Sequence, residues 1–180
     1  MDFTEKTIST REIYNGRIVH LVEDTVLLPD GRVAGRELIL HNGGVGVIAL
    51  DEDKNVLMVS QYRKPYDEMV LEVPAGKLEK GEDPFVCGVR ELKEEVGATA
   101  KEVVSLGHIY PTPGYVSEKI YLYLAKGLSF GENHLDEGEQ LSVEKFSMKQ
   151  ALEMVKNGQI VDAKTIIALC KVAFLMNEAE

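Results

Sequence analysis

Two cysteines, Cys87 and Cys170, are too few for a disulfide framework. Both read as small buried hydrophobes in a reducing compartment, so packing has to hold the fold. Basic residues are in the minority, 20 Lys and Arg against 30 Asp and Glu, and the net charge of -10 argues against a general binder of nucleic acid or membrane surfaces. It does not exclude an anionic small substrate, because a bound cation and a few arginines can reverse the field inside a site. No apolar run approaches the roughly 20 residues that span a bilayer, and the start, MDFTEKTIST, has neither a basic leader nor an apolar core. A cytoplasmic protein is expected. There is no internal repeat and no low-complexity segment, and 180 residues at 44% hydrophobic content suffice for one ordinary core.

What the chain does have is a concentration of carboxylates at helical spacing. Asp83-Pro84 marks a helix start, since aspartate caps free N–H groups and proline at the first helical position gives up no hydrogen bond. Gly97 supplies the stop. Between them Phe85, Val89, Leu92 and Val96 form one narrow apolar stripe, expected to face a core. Glu91 and Glu95 lie one turn apart on a different face with Glu94 beside them. Like charges at this spacing cost about 0.2–0.5 kcal/mol per pair, which a cation would remove. Clustered carboxylate oxygens are hard ligands, suited to Mg2+ or Mn2+. The bland alternative is a solvated helix face.

Around this helix the chain reads as short strands divided by turn residues. From Lys6 to His41, β-branched runs broken by Asn15-Gly16 and Pro29-Asp30-Gly31 read as an antiparallel meander. Arg36 near its end is either a strand-surface residue or a guanidinium aimed at substrate. Asn42-Gly43-Gly44 precedes VGVIAL, a strand buried on both faces, and the domain boundary is placed here, giving 1–43 and 44–180. Asp51, Asp53 and Asn55 look like half of a calcium loop, but Val56 stands where glycine is required, so a hairpin turn is expected. NVLMVSQYR and MVLEVPAG follow as strands. Arg63 suits a diphosphate through its planar fork, or else forms a rim salt bridge, and Glu72 is equally open. Beyond the helix, KEVVSLGHIY and EKIYLYLA are strands joined by the rigid turn Pro111–Gly114, and NHLDEGEQ is a polar loop with Asp136, Glu137 and Glu139. After the strand LSVEKF, Ser147 and Gln150 form a capping box for MKQALEMVKN, ended by Gly158. Asp162 caps a last helix, AKTIIALCKVAFLMN, apolar around much of its circumference and expected to be buried.

The stretch GKLEKGEDPFVCGVRELKEEVGA, Gly76 to Ala98, resembles the Nudix box, G-x5-E-x7-R-E-U-x-E-E-x-G-U with U a bulky aliphatic residue. Gly76, Glu82, Arg90, Glu91, Leu92, Glu94, Glu95 and Gly97 fall in register, and the one departure is Ala98 at the last U position. Outside the box, QYRKP, EVPAG, TPG, DEGE and DAKT at these separations resemble the bacterial ADP-ribose pyrophosphatases of that superfamily. Pro113, 16 residues past Gly97 (113 - 97), is similar to that subfamily's mark. The resemblance implies an α/β chain with the Nudix fold, an α/β/α sandwich with a mixed β-sheet, preceded by a small N-terminal antiparallel β-sheet region. It also implies a homodimer with exchanged N-terminal strands.

By the same resemblance, Glu91, Glu95 and the backbone carbonyl of Ala75 hold Mg2+, for which Mn2+ can substitute, with Glu94 assisting. Arg90 and Glu82 orient this set. Glu139, or else Glu137, serves as general base, while Arg63 and Arg36 grip the diphosphate or lie near the adenine. Glu72, Pro113 and Glu118 fall on the substrate side. The implied reaction is Mg-dependent hydrolysis of ADP-ribose to AMP and ribose 5-phosphate. A phosphoanhydride repels nucleophiles, so its charge must be neutralised and a water positioned and deprotonated. Two other readings stand beside it: a pyrophosphatase for another nucleotide sugar such as GDP-mannose, and a non-catalytic ADP-ribose sensor, against which the intact glutamates speak.

Overall fold

The computed structural model describes residues 1–131 and 140–177. The chain divides into two compact units, Met1–Gly43 with Tyr110–Lys119, and Gly44–Ile109 with the described residues from Ile120 onward.

In the first unit, the turn residues at Asn15-Gly16 and Pro29-Asp30-Gly31 separate three strands: β1 (Lys6–Asn15), β2 (His20–Leu27) and β3 (Val33–Leu40). They pair antiparallel in the order β1-β2-β3, the expected meander. Gly31 takes φ 84°, the left-handed conformation that lets Leu28 N donate to Arg32 O at 2.8 Å and close the second turn. Val22 and Val26 of β2 are buried, whereas β1 is exposed along all ten residues. The segment Tyr110–Lys119 joins this unit through Ile39, whose N–H donates to Tyr115 O at 2.8 Å and whose carbonyl accepts from Ser117 N at 2.9 Å.

The second unit contains β4 (Gly44–Leu50), β5 (Asn55–Arg63), β6 (Glu68–Glu72), β7 (Ala75–Lys77), α1 (Pro84–Val96), β8 (Ala98–Ile109), β9 (Ile120–Phe130), β10 (Leu141–Ser147), α2 (Met148–Lys156) and α3 (Ala163–Asn177). The sheet runs β10-β5-β4-β9-β8, with β6 added to β5 and β7 to β4. β4 and β9 pair parallel and the other pairs are antiparallel, so the sheet is mixed. Every residue of β4 is buried, and strand alternation sends its side chains into two cores. Val45, Val47 and Ala49 pack with Cys87, Leu92 and Val96 of α1. Ile48 and Leu50 pack with Met148 and Ala151 of α2 and Ala168, Leu169 and Val172 of α3. The result is an α/β/α sandwich with α1 on one face and α2 and α3 on the other.

Three expectations are corrected in this unit. β9 continues past Ala125 to Phe130, because its second half pairs with Ala98–Ala100 at the start of β8. α3 buries one stripe, Thr165, Ala168, Leu169 and Val172, and leaves Phe174 and Leu175 exposed, since a helix on one sheet face can cover only one side. Cys170, on the flank of that stripe, is half-buried. The Asp51–Asn55 segment is the expected hairpin turn: Asp51 Oδ1 accepts from Asp53 N at 3.0 Å and Asn55 N at 2.8 Å. Among the described residues no helix is long and apolar enough to cross a membrane.

Candidate active site

α1 begins and ends as its sequence dictates. Asp83 accepts hydrogen bonds from Phe85 N (2.8 Å) and Val86 N (3.3 Å), Pro84 opens the helix, and Gly97 closes it at φ 64°. Half of the expected stripe, Leu92 and Val96, faces the core, and the other half does not. Phe85 and Val89 are exposed, and the covered residues are Cys87, Gly88, Glu91, Leu92, Glu95 and Val96. Phe85 instead meets Tyr123 edge-on, at 6.1 Å between ring centroids. Two carboxylates thus lie on the covered side of the helix, Glu91 at 9% and Glu95 at 3% exposure.

The short strand β7 explains how those carboxylates are accommodated. Ala75 N donates to Glu95 Oε2 at 2.9 Å. At Gly76 a Cβ would lie 1.8 Å from Glu91 Oε1, so only glycine lets that carboxylate lie against the strand. Gly44 abuts the same place from β4, where a Cβ would sit 2.9 Å from Gly76 O.

Arg90 ties the remaining acids together. Its Nε reaches Glu82 Oε1 at 3.1 Å, and Nη1 reaches both Glu91 Oε1 (2.8 Å) and Glu94 Oε2 (2.9 Å). Hydrogen bonding to Glu82 raises the Arg90 pKa well above its usual range, against the opposing effect of burial. The Glu82 carboxyl is pulled below its ordinary value by Arg90 and by the Glu79 N–H. Burial pushes the Cys87 thiol up to about 12, so it stays protonated beside this cluster. One guanidinium serving three carboxylates leaves the site with excess negative charge.

Such hard oxygen donors fit a divalent cation by type. Among the described residues no three His, Cys, Asp or Glu side chains are arranged to hold a metal by themselves. Glu91 and Glu94 converge on Arg90 Nη1 instead.

A second cluster sits at the end of β6. Arg63 donates from Nε to Glu72 Oε1 (2.6 Å) and from Nη2 to Oε2 (2.8 Å), a two-pronged pair. Lys164 Nζ contacts Glu72 Oε2 and lies 3.1 Å from Asp162 Oδ2. Burial opposes the charge on Glu72, but Arg63 and Lys164 outweigh it and hold the carboxyl below its ordinary value. Glu95 and Asp162 both add to the field at Arg63, which links this cluster to α1.

The structure therefore brings Arg63, Glu72, Ala75, Glu82, Arg90, Glu91, Glu94 and Glu95 into one unit. Arg36, Pro113 and Glu118 belong to the other unit. There Arg36 pairs with Glu5 (Nε to Oε2, 3.0 Å) and Glu118 Oε1 lies 3.5 Å from His41 Nδ1. Glu137 and Glu139 lie outside the described residues. Lys164 entered sequence reasoning only as part of DAKT, with no role of its own. The available signal was a lysine in the first turn of an apolar helix, where the helix dipole disfavours a cation.

The mixed sheet between helices, with the glycine of a short strand under a glutamate-bearing helix, defines a Nudix-type hydrolase. The chain belongs to the Nudix family: the family model described as NUDIX domain matches residues 40–169, and a nucleoside diphosphate sugar hydrolase N-terminal domain matches residues 5–39. Members of this family generally use divalent metal ions. The chain is 46% identical over 169 residues to a methanol dehydrogenase activator of Bacillus methanolicus, covering 93% of this chain and 91% of that protein. It is 40% identical over 167 residues to an ADP-ribose pyrophosphatase of Bacillus subtilis (strain 168), covering 92% and 90%. A crystal structure of an ADP compounds hydrolase shares the fold, with a TM-score of 0.87 at 19% identity over 99% of this chain and 98% of that one.

Proposed function

We propose that this chain hydrolyses the diphosphate of ADP-ribose to AMP and ribose 5-phosphate, using Mg2+ or, in its place, Mn2+. The observation that carries this reading is the cluster of Glu91, Glu94 and Glu95 beside Ala75 and Gly76 of β7, with the Arg63–Glu72 pair in the same unit. The 40% identity to the Bacillus subtilis ADP-ribose pyrophosphatase favours that substrate.

Glu91, Glu95, Glu94 and the Ala75 carbonyl would hold the cation. When bound, it would neutralise diphosphate charge and polarise phosphorus. Arg90 and Glu82 keep the glutamates oriented. Arg63 grips phosphate oxygens with the N–H groups that Glu72 leaves over, and substrate-binding roles for Arg36, Pro113 and Glu118 rest on the resemblance of the sequence alone. Glu139, or else Glu137, accepts the proton of the attacking water. We place the domain boundary between residues 43 and 44 and the protein in the cytoplasm. We also infer a homodimer formed through the N-terminal strands, favoured by the exposure of β1 with Ile8, Ile13 and Tyr14 uncovered. Incubation with ADP-ribose and Mg2+, followed by identification of AMP and ribose 5-phosphate, tests the reaction; light scattering tests the dimer.

The relative named as a methanol dehydrogenase activator favours a second reading, in which the chain acts on a dehydrogenase's activity. Adding the chain to methanol dehydrogenase and finding no change in its rate would remove it.

A further inference from the structure

Lys164 stands against its local electrostatics. It lies in the first turn of α3, and its side chain is only 11% exposed. Its compensation is Glu72, 2% exposed, together with Asp162. Glu72 is shared: Arg63 holds both of its oxygens and Lys164 also holds Oε2. Two cations and two anions therefore form one closed set.

The strand end carrying Glu72 is fastened from the same helix a second time. Val73 N donates to Thr165 Oγ1 at 2.9 Å, and Thr165 Oγ1 donates to Asp162 Oδ2 at 2.6 Å. Two residues further on, Ala75 N is held by Glu95 and Gly76 lies under Glu91. The segment from Glu72 to Gly76 is thus fixed by α3 at one end and by α1 at the other. A carboxylate paired to a single guanidinium can swivel with it, whereas one also gripped by a buried ammonium cannot. Nη1 of Arg63 is engaged by no acceptor among the described residues.

We propose that Lys164 is a positioning residue of the diphosphate site: by immobilising the Glu72 carboxylate it fixes the plane of the Arg63 guanidinium, so that Nη1 faces the substrate's phosphate oxygens. This rests on the phosphate-gripping role given to Arg63 above. A lysine with only a structural role would affect stability and leave Arg63 alone.

Two readouts separate these cases. The first needs no substrate: the Nε–H resonance of Arg63 in the 15N-labelled chain, assigned by its loss in Arg63→Lys. Lys164→Met is expected to shift it and speed its exchange with water about tenfold, and Lys164→Arg to restore it. The second is kinetic, with ADP-ribose and Mg2+. Lys164→Met is expected to raise KM about tenfold with kcat nearly unchanged, and to add almost nothing in an Arg63→Ala background. Lys164→Gln serves both readouts if the Met variant does not fold. An unchanged Arg63 resonance overturns the proposal whatever the substrate. So does a KM effect of equal size with and without Arg63. A resonance that responds while the wild type fails to cleave ADP-ribose supports Lys164 and instead contradicts the substrate reading.

Discussion

Gly76 and Glu91 compete for one position: a Cβ on Gly76 would lie 1.8 Å from Glu91 Oε1 and 1.9 Å from its Cδ. Gly76→Ala is expected to push the Glu91 carboxylate off β7. Misplacing a reacting group by about 1 Å costs on the order of 10²-fold in rate. The check is kcat/KM together with circular dichroism. A folded variant with wild-type kcat/KM would show that Glu91 does not need this place.

Glu95 accepts from Ala75 N, whereas Glu139 lies outside the box and outside the described residues. Glu95→Gln is expected to abolish metal-dependent turnover along with Mn2+ binding. Glu139→Gln is expected to lower kcat about 10²–10⁴-fold with Mn2+ still bound. Mn2+ titration followed by electron paramagnetic resonance distinguishes them, and equal loss of metal affinity in both variants would show the base to be misassigned.

Thr165 is fully buried and bridges Val73 N to Asp162. Thr165→Val keeps the shape but leaves the Val73 N–H without its acceptor, at a cost of about 1–3 kcal/mol. Urea unfolding should show a lower midpoint at an unchanged m-value. A midpoint equal to wild type would mean that water replaces the hydroxyl.

Asp51 gives the chain an acid-sensitive turn. Burial raises its carboxyl pKa, but hydrogen bonds from Lys145 and Asn55 prevail and lower it from 3.8 to about 2. A pKa depressed by folding stabilises the native state above the unfolded value. That stabilisation should fade as pH falls from about 4 toward 2, and on this partly screened turn it amounts to about 1 kcal/mol. Asp51→Asn should lower stability at pH 7 and flatten its fall across this window. An unchanged acid limb in Asp51→Asn would remove Asp51 as a cause.

Local chemistry was the legible part. The Asp83-Pro84 start, the Gly97 stop, the Ser147–Gln150 capping box and the Asp162 cap all appear where residue types alone put them. The buried face of α1 was legible only in part, through Leu92 and Val96. Its apolar spacing also points to Phe85 and Val89, but strand β7 lies against Glu91 and Glu95 instead, and spacing within a helix carries no information about a strand that packs on it. Arg63 was ambiguous for a similar reason. Its partner Glu72 is anchored by Lys164, 92 residues further along the chain, a contact that only the fold creates. The assignment of Tyr110–Lys119 to the unit of β1–β3 likewise depends on backbone hydrogen bonds of Ile39, which no side-chain pattern announces.

The central claim is the substrate. With Mg2+ present, kcat/KM measured in parallel for ADP-ribose, UDP-glucose and GDP-mannose should be highest for ADP-ribose, with AMP and ribose 5-phosphate released and all turnover lost on chelation. Cleavage of ADP-ribose no faster than that of the other two would contradict the account.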